Sequence, residues 1–555
     1  MDINLSVKKA YEAYRKVAAR DFLHVTTTQL NVVYNVLCRM KKDEEYRNAI
    51  YKAAETDEPL DKLIERYFLG YNNLHGLDIT ETLTEFDNPE LADGSYFIIT
   101  TYVDGCERSP ISLRCGEVCK IKAVHYSRAT ESELSMPRLR TVISSDDGTR
   151  NEFTTENADR VEFDLTLNTP GGIRFKIFVE DESGKNIIGS ETSYGGLLFD
   201  IESIKPVFEA PKDLEDFWRG EIARLMRTDP ISTVPDGYSG RVVYEYGIAD
   251  KNAYSIKKVD KEYLELMRER ALPAPADEKL SEFDVYEVYL KAPGPCPATA
   301  YLSIPKTAEK NSLDLSITYD GYSAHTPSPI LANGKITLHC THHGYELCKP
   351  DKDYYNHLNG SGILGNYGRA NGKTNSDYVD IHDCYLLYTL LRNLQFIRFV
   401  ADPKKAAVIP NLREYFSGRV IIGGGSMGGY QTVCVGGLCE LMAEVQSGFK
   451  VVTLMPSIPA FCDVASGQTT RVSTQLHSYE EGIDYFDAAH LGRLIRADLV
   501  IPRVGLGDET CPHTSITAMV NNIPSGYKKD INYLQNSSHG YVTDPQLQKW
   551  YKYGG

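Results

Sequence analysis

From Val7 to about Tyr71, apolar residues recur at intervals of three and four, as in Ala10, Tyr14 and Val17 and then Leu30, Val33, Val36 and Leu37, among many charged positions. That spacing lines one face of a helix, and the region predicts roughly three helices. From Asn88 to Lys205 the runs SYFIITTYV, EVCKIKAVHY, RVEFDLTLN and IRFKIFVED are short, β-branched and aromatic, and are separated by Gly, Asp, Asn and Pro turns. This pattern predicts an antiparallel β-sandwich. The segment PVFEAPKDLEDFWRGEIARL then passes from a Pro-containing turn into an amphipathic helix, which sets a boundary near Lys205.

Beyond it, strand and helix signals alternate. Strands are predicted at VYEVYLKA, ATAYLSIPK, LDLSITYDG, KITLHCTH, RVIIGG, KVVTLMPS, DLVIPRVG and KDINYLQN, with helices from Tyr378 to Val400, Met427 to Leu441 and Thr514 to Asn522. Adjacent early strands followed by βα alternation predict a mostly parallel sheet with helices on both faces. The expected organisation is α/β: a helical region at 1–84, an Ig-like sandwich at 85–205 and a sheet-and-helix catalytic domain at 206–555.

Composition narrows the function classes. A chain of 555 residues exceeds one hydrophobic core, and 42% hydrophobic with 25% charged residues is the balance of a folded chain. A net charge of −16 repels phosphate backbones and anionic lipid, so neither nucleic acid nor a membrane surface is an expected partner. The longest uncharged window, Val420 to Cys439, has seven Gly among its twenty residues and is too polar to span a bilayer. The opening MDINLSVKKAYEAYRK lacks the apolar core of a secretory signal, giving the expectation of a cytoplasmic chain, or a secreted or periplasmic one if a signal once preceded it. The 12 cysteines form no C-x-x-C pair and are expected to be free, buried thiols.

The sharpest chemical feature is Arg419-Val-Ile-Ile-Gly-Gly-Gly-Ser-Met-Gly-Gly-Tyr430, in which Gly424-Gly-Ser426-Met-Gly428 satisfies G-x-S-x-G between a strand and a helix. A nucleophile elbow strains its Ser into a tight turn and needs small neighbours, which Gly424, Gly425, Gly428 and Gly429 supply. The alternative is a Gly-rich phosphate-binding turn. No G-x-x-x-x-G-K-[ST] pattern is present, and Glu440 and Glu444 stand in or just after the helix rather than at a ribose-binding position.

A seryl hydroxyl needs a base, and the base needs an orienting carboxylate. On such a sheet they follow in the order Ser, acid, His, after later strands. Asp508 follows DLVIPRVG and His539 follows KDINYLQN. Asp508 could instead be a turn or cap residue, and Glu509 is its neighbouring rival. His477, His490 and His513 also lie downstream of Ser426, but only His539 follows a strand and precedes Gly at the right place. Oxyanion donors are expected at the amides of Met427 and Tyr322, the latter in the Asp320-Gly321-Tyr322 turn. The cluster His339, His342 and His343 invites a metal reading, yet alternate residues of an extended segment point apart and no acidic or Cys partner completes a shell. His343 and Tyr345 are instead candidate substrate contacts beside the pocket, and the Tyr-rich stretch from Asp353 to Tyr378 is a long loop that either joins them or is a surface excursion.

The set ITYDGY, RVIIGGGSMGGYQT, VGLGDETCP and SSHGY resembles the acetyl xylan esterase and cephalosporin C deacetylase family, the seventh family of carbohydrate esterases. The resemblance spans about Pro206 to Tyr551 and is most specific at Gly505 to Pro512. It implies an α/β-hydrolase fold, with Ser426 as nucleophile, His539 as general base and acid, Asp508 as orienter, and Tyr322 and Met427 as amide donors. It also implies an acetylated carbohydrate as substrate, no cofactor and no metal, and a homo-oligomer as a possible state. Two departures stand out: Met427 replaces the usual Gln, and His343-Gly344-Tyr345 replaces the usual Arg-Gly-Gln. The rival readings are a thioesterase or peptidase on the same scaffold and a non-catalytic carbohydrate-binding protein.

Overall fold

The computed structural model describes residues 94–554 except 129, 188–189, 232–253, 271, 295–296, 322–326, 342–346, 349–380, 383, 473–478, 480–481 and 541–548, together with residues 44 and 48, both helical. The rest of the expected N-terminal helices, the loop 353–378 and the candidates Tyr322, His343 and Tyr345 lie outside the described residues.

Eight strands run through the first described region: β1 (Ser95–Val103), β2 (Cys106–Glu107), β3 (Cys119–Ser127), β4 (Met136–Ser145), β5 (Arg150–Ala158), β6 (Arg160–Leu165), β7 (Gly171–Glu180) and β8 (Ser193–Phe199). They form two four-stranded antiparallel sheets, ordered β2-β1-β3-β6 and β5-β4-β7-β8. Alternate residues of each strand, Phe97 and Ile99, Ile121 and Ala123, Leu139 and Ile143, Ile173, Phe175 and Ile177, close a single core between the sheets.

The second region is built on one ten-stranded sheet. Its strands are β9 (Ser255–Lys258), β10 (Phe283–Leu290), β11 (Ala298–Pro305), β12 (Leu313–Tyr319), β13 (Lys335–Thr341), β14 (Phe416–Gly425), β15 (Lys450–Ser457), β16 (Asp498–Gly505), β17 (Lys529–Leu534) and β18 (Trp550–Gly554). The spatial order is β18-β17-β16-β15-β14-β12-β13-β11-β10-β9. Strands β13, β12, β14, β15, β16 and β17 are parallel to their neighbours in that run, while β11, β10, β9 and β18 pair antiparallel. Central strands buried on both faces carry Leu315, Ile317, Val420, Ile422, Leu454, Leu499 and Ile501 into one core.

The helices that cover the sheet include α1 (Leu214–Arg227), α2 (Lys261–Glu269), α3 (Tyr385–Ala401), α4 (Met427–Ala443) and α5 (His513–Asn522). Helix α3 is buried along its whole length against α4 and α1. Its Arg398 donates to the carbonyls of Leu225, Met226 and Thr228, closing the carboxyl end of α1. Strand β13 between β11 and β12, followed by βα alternation, is the α/β-hydrolase arrangement. Because β12, β14, β15, β16 and β17 run the same way, the loops that begin at Asp320, Ser426, Ile458, Leu506 and Gln535 all leave one edge of the sheet. Among the described residues, no helix is long and apolar enough to cross a membrane. Ten cysteines are described, and eight of them are buried.

Candidate active site

Ser426 stands between β14 and α4 with φ 56° and ψ −114°, a left-handed backbone conformation that costs a non-glycine residue about 1–3 kcal/mol. The surrounding main chain holds it there. Its N–H donates to Ser457 O at 2.9 Å, and its carbonyl accepts from Tyr430 N at 2.9 Å and Ala460 N at 3.0 Å. Glycine is required at three of the four neighbouring positions: a Cβ would lie 2.6 Å from Tyr319 O at Gly424, 2.1 Å from the same oxygen at Gly428, and 2.8 Å from Ser457 O at Gly429. Gly425 is a correction to the sequence expectation, since a Cβ there would come no closer than 4.0 Å to Ser457 O.

Asp508 and His539 reach Ser426 from the loops after β16 and β17. His539 Nε2 lies 2.9 Å from Ser426 Oγ, and its Nδ1 lies 3.0 Å from Asp508 Oδ2. An ionised carboxylate only accepts, so Nδ1–H donates to Asp508 and the neutral ring presents a lone pair on Nε2 to the seryl hydroxyl. Asp508 is fully buried, and its other oxygen accepts from Thr510 N at 2.8 Å and Cys511 N at 2.9 Å. The turn role and the orienting geometry are thus divided between the two oxygens of one carboxylate. Arg503 donates to the main-chain oxygens of Ser538 and His539, fixing the loop that carries the imidazole.

The competing residues are placed elsewhere. Glu509 is paired with Lys176 of β7. His490 is buried in a helical turn, and His513 opens α5 with its Nε2 3.1 Å from Leu197 O; His477 lies outside the described residues. Met427 is the first residue of α4, where a backbone N–H has no acceptor within the helix. Gly321 passes beside Ser426, its Cβ position 3.9 Å from Ser426 Cβ, so this glycine borders the site.

Of the three clustered histidines, His339 is described, and its ring is committed to protein partners. Nδ1 lies 2.7 Å from Ser328 O and Nε2 lies 2.9 Å from Asp320 Oδ1. Both partners are acceptors, which favours a proton on each ring nitrogen. Burial alone pulls the imidazole pKa down, but the hydrogen bond and charge of Asp320, with the Ser328 carbonyl, outweigh it and raise it.

Among the described residues, two groups bring three ligand-type atoms together: Asp508, Cys511 and His539, and Asp484, Asp487 and His490. In the first, burial pushes the Cys511 thiol well above its ordinary range, so it stays protonated and ill suited to a metal. In the second, the Asp487 oxygens already accept from Asp463 N, Val464 N and Ala489 N.

A family model described as acetyl xylan esterase (AXE1) matches residues 250–554, more than half of the chain. The chain belongs to the acetyl xylan esterase family. Its membership makes it a carbohydrate esterase by class, and the family implies an acetylated carbohydrate as substrate. Among solved structures, this esterase is similar to an acetyl xylan esterase from Paenibacillus sp. R4, at 17% identity over 62% of this chain and 94% of that one, with a TM-score of 0.41. It is also similar to acetyl xylan esterase 1 from Thermoanaerobacterium sp. JW/SL YS485, at 17% identity over 62% and 93% of the chains and a TM-score of 0.41. An esterase from Thermogutta terrifontis is similar at 15% identity over 45% and 82%, with a TM-score of 0.29. No curated protein sequence matches the chain.

Sequence reasoning passed over several residues that shape the esterase site. The Asp320–His339 pair was within reach, because His339 lies in one predicted strand and Asp320 stands at the end of the strand before it. Arg174, Gln535 and Asn536 were not, because each meets its partner across more than three hundred residues of chain.

Proposed function

We propose that this protein is a serine esterase that removes acetyl groups from the hydroxyls of plant-type poly- or oligosaccharides through an acyl-enzyme. The observation that carries this reading is the hydrogen-bonded chain Ser426–His539–Asp508, with links of 2.9 Å and 3.0 Å at the carboxyl edge of the sheet. In the proposed reaction Ser426 Oγ attacks the ester carbonyl while His539 Nε2 takes its proton. Asp508 stabilises the resulting imidazolium, and the main-chain amides of Met427 and Tyr322 receive the oxyanion. Collapse of the tetrahedral adduct breaks the bond to the sugar oxygen, which leaves with the proton from His539. Water, deprotonated by the same ring, then attacks the acyl-enzyme, releasing acetate and restoring Ser426. Side chains and water account for every proton and electron pair in these steps.

The choice of an acetylated sugar as the acyl donor is supported by the family match over residues 250–554. The test is mass spectrometry of acetylated xylo-oligosaccharides incubated with the protein and with Ser426→Ala. Stepwise loss of acetyl groups with the first protein alone is expected. Equal loss with both would overturn the role of Ser426. Preference for longer thioesters or for an aminoacyl-nitroanilide would overturn the substrate class, and failure of folded protein to react with a fluorophosphonate would favour a non-catalytic binding protein.

A further inference from the structure

We infer that the β-sandwich holds the acid and base loops in mutual position, with Arg174 as the positioning residue for Asp508. The inference rests on the triad reading above. Arg174 lies on β7 and donates from Nη1 to the main-chain oxygen of Asp508 at 2.7 Å. Lys176, two residues along and on the same face of the strand, pairs with Glu509. The base loop is grasped by β8. Gly196 N donates to Gln535 Oε1 at 3.0 Å, and Gln535 Nε2 donates back to Gly196 O at 3.0 Å, so the amide continues the strand's own hydrogen-bonding edge. Asn536 Oδ1 accepts from Ser193 Oγ at 3.1 Å and Tyr194 N at 3.0 Å, while its Nδ2 donates to Phe97 O of β1 at 3.1 Å. Ser537 N donates to Tyr194 O at 3.0 Å.

The main chains of the two regions also approach each other closely and leave little room for adjustment. A Cβ on Gly196 would sit 2.0 Å from Leu506 O, and one on Gly507 would sit 2.5 Å from Tyr194 C. The two loops therefore both rest on one surface formed by β7 and β8, which constrains the distance between them. Gln535, Asn536 and Arg174 are buried, so removing the partner of any one of them would leave polar groups unpaired in a dry environment. Burying a guanidinium is costly unless acceptors converge on it. Burial pushes the Arg174 pKa down to about 10, partly offset by the charges of Glu509, Asp146 and Asp508, and its Nε makes no hydrogen bond among the described residues. The carboxylate of Asp508 is oriented by its own turn; that turn meets the base loop directly through Gly507 N to Ser537 O at 3.0 Å, Arg503 holds the base loop from the hydrolase sheet, and the sandwich adds a further constraint from outside that sheet.

The test uses the full chain with Arg174→Met, Arg174→Lys, Lys176→Met and Ser426→Ala, followed by p-nitrophenyl acetate kinetics, fluorophosphonate titration and thermal unfolding. Since small misplacements of reacting groups cost up to about 100-fold, Arg174→Met is expected to lower kcat on the order of 10- to 100-fold with KM changed less than about two-fold. Fluorophosphonate should label all folded molecules, but more slowly. Arg174→Lys should recover part of kcat, and Lys176→Met should lower it by about two- to five-fold. Normal kcat for each labelled molecule, with only Tm or the labelled fraction reduced, would overturn the positioning role. Should Arg174→Met fail to fold, Lys176→Met, whose pair is partly exposed, decides by the same criterion: unchanged kcat overturns it. Activity retained by Ser426→Ala would instead refute the triad reading on which the inference stands.

Discussion

The two halves of the site are built differently. The nucleophile half needs a conformation: Ser426 must hold a strained φ and ψ, and the means lie close by in β12, β14, β15 and α4, through Ser457 O, Ala460 N and the glycines that let Tyr319 O approach. The acid and base half needs a position. Asp508 and His539 come from separate loops, which touch through Gly507 N and Ser537 O and both rest on β7 and β8 of the sandwich, through Arg174, Gln535 and Asn536. A conformation can be written into a few adjacent residues. A distance between two loops depends on contacts contributed by other parts of the chain.

The largest expected effect tests whether the two halves act as one unit. Ser426→Ala should lower kcat by on the order of 10⁴ to 10⁶, and Asp508→Asn by about 10⁴, with folded structure retained by circular dichroism. Combining them should cost little more than Ser426→Ala alone, because a disabled nucleophile leaves the base nothing to activate. Full additivity in steady-state ester hydrolysis would break the picture of a single apparatus. Next in size is Gly428→Ala, which places a methyl group 2.1 Å from Tyr319 O and forces the elbow apart. A kcat loss of about 100-fold is expected, together with about 1–3 kcal/mol of destabilisation measured by urea unfolding. Gly425→Ala, with no atom nearer than 4.0 Å to its Cβ, should stay within about three-fold of the parent. Equal effects at the two glycines would contradict a locally built nucleophile half.

The same division explains what the sequence made legible. The elbow was readable because its glycines, its serine and the flanking periodicities sit within one short segment, and β15 and β16 were readable at both ends because their apolar runs are bounded by charge and turn residues. Asp508 and His539 could be ranked by topology alone, each following a strand. Edge strands were less legible: β9 and β18 have only four and five residues, and WYKYG alternates without a strongly apolar face. The Thr, Glu and Asn of β5 conceal a strand whose pairing partner supplies most of the apolar surface. The clamp by Arg174 was not legible, since a basic residue in an alternating strand has an ordinary solvent-facing reading until the sheet is placed against the acid loop.

A smaller effect is expected where the turn after β12 borders Ser426. His339 holds Asp320 there, and His339→Phe should lower kcat on the order of ten-fold by loosening that turn. The folded pKa of His339 is raised, so the protonated ring contributes stability that is fully present below its unfolded value of about 6.5 and is lost as pH rises through the higher folded value. The Tm difference between parent and His339→Phe should therefore be widest in the acidic range and shrink above it. Thermal unfolding at stepped pH checks this, and a gap that widens with alkalinity would exclude a charged His339–Asp320 tie.

The smallest effect concerns the loop behind the nucleophile. Asp487 accepts from Asp463 N, Val464 N and Ala489 N, and the segment it anchors includes Ala460, whose N–H reaches Ser426 O. Burial lifts its carboxyl to about 7 against the pull of those amides. The folded chain therefore binds this proton more tightly than the unfolded chain, and stability falls as pH rises from about 4 to about 7, then levels off. Asn cannot ionise, so Asp487→Asn removes this part of the pH dependence while keeping one oxygen for the amides. The Tm of the parent minus that of Asp487→Asn should decrease as pH rises through this window, whatever its starting value, with kcat within about three-fold because no reacting atom is touched. A constant or growing difference would mean that the carboxylate is ionised at low pH in the folded chain, and that the nucleophile half, like the acid half, depends on a buried charge rather than on main-chain geometry alone.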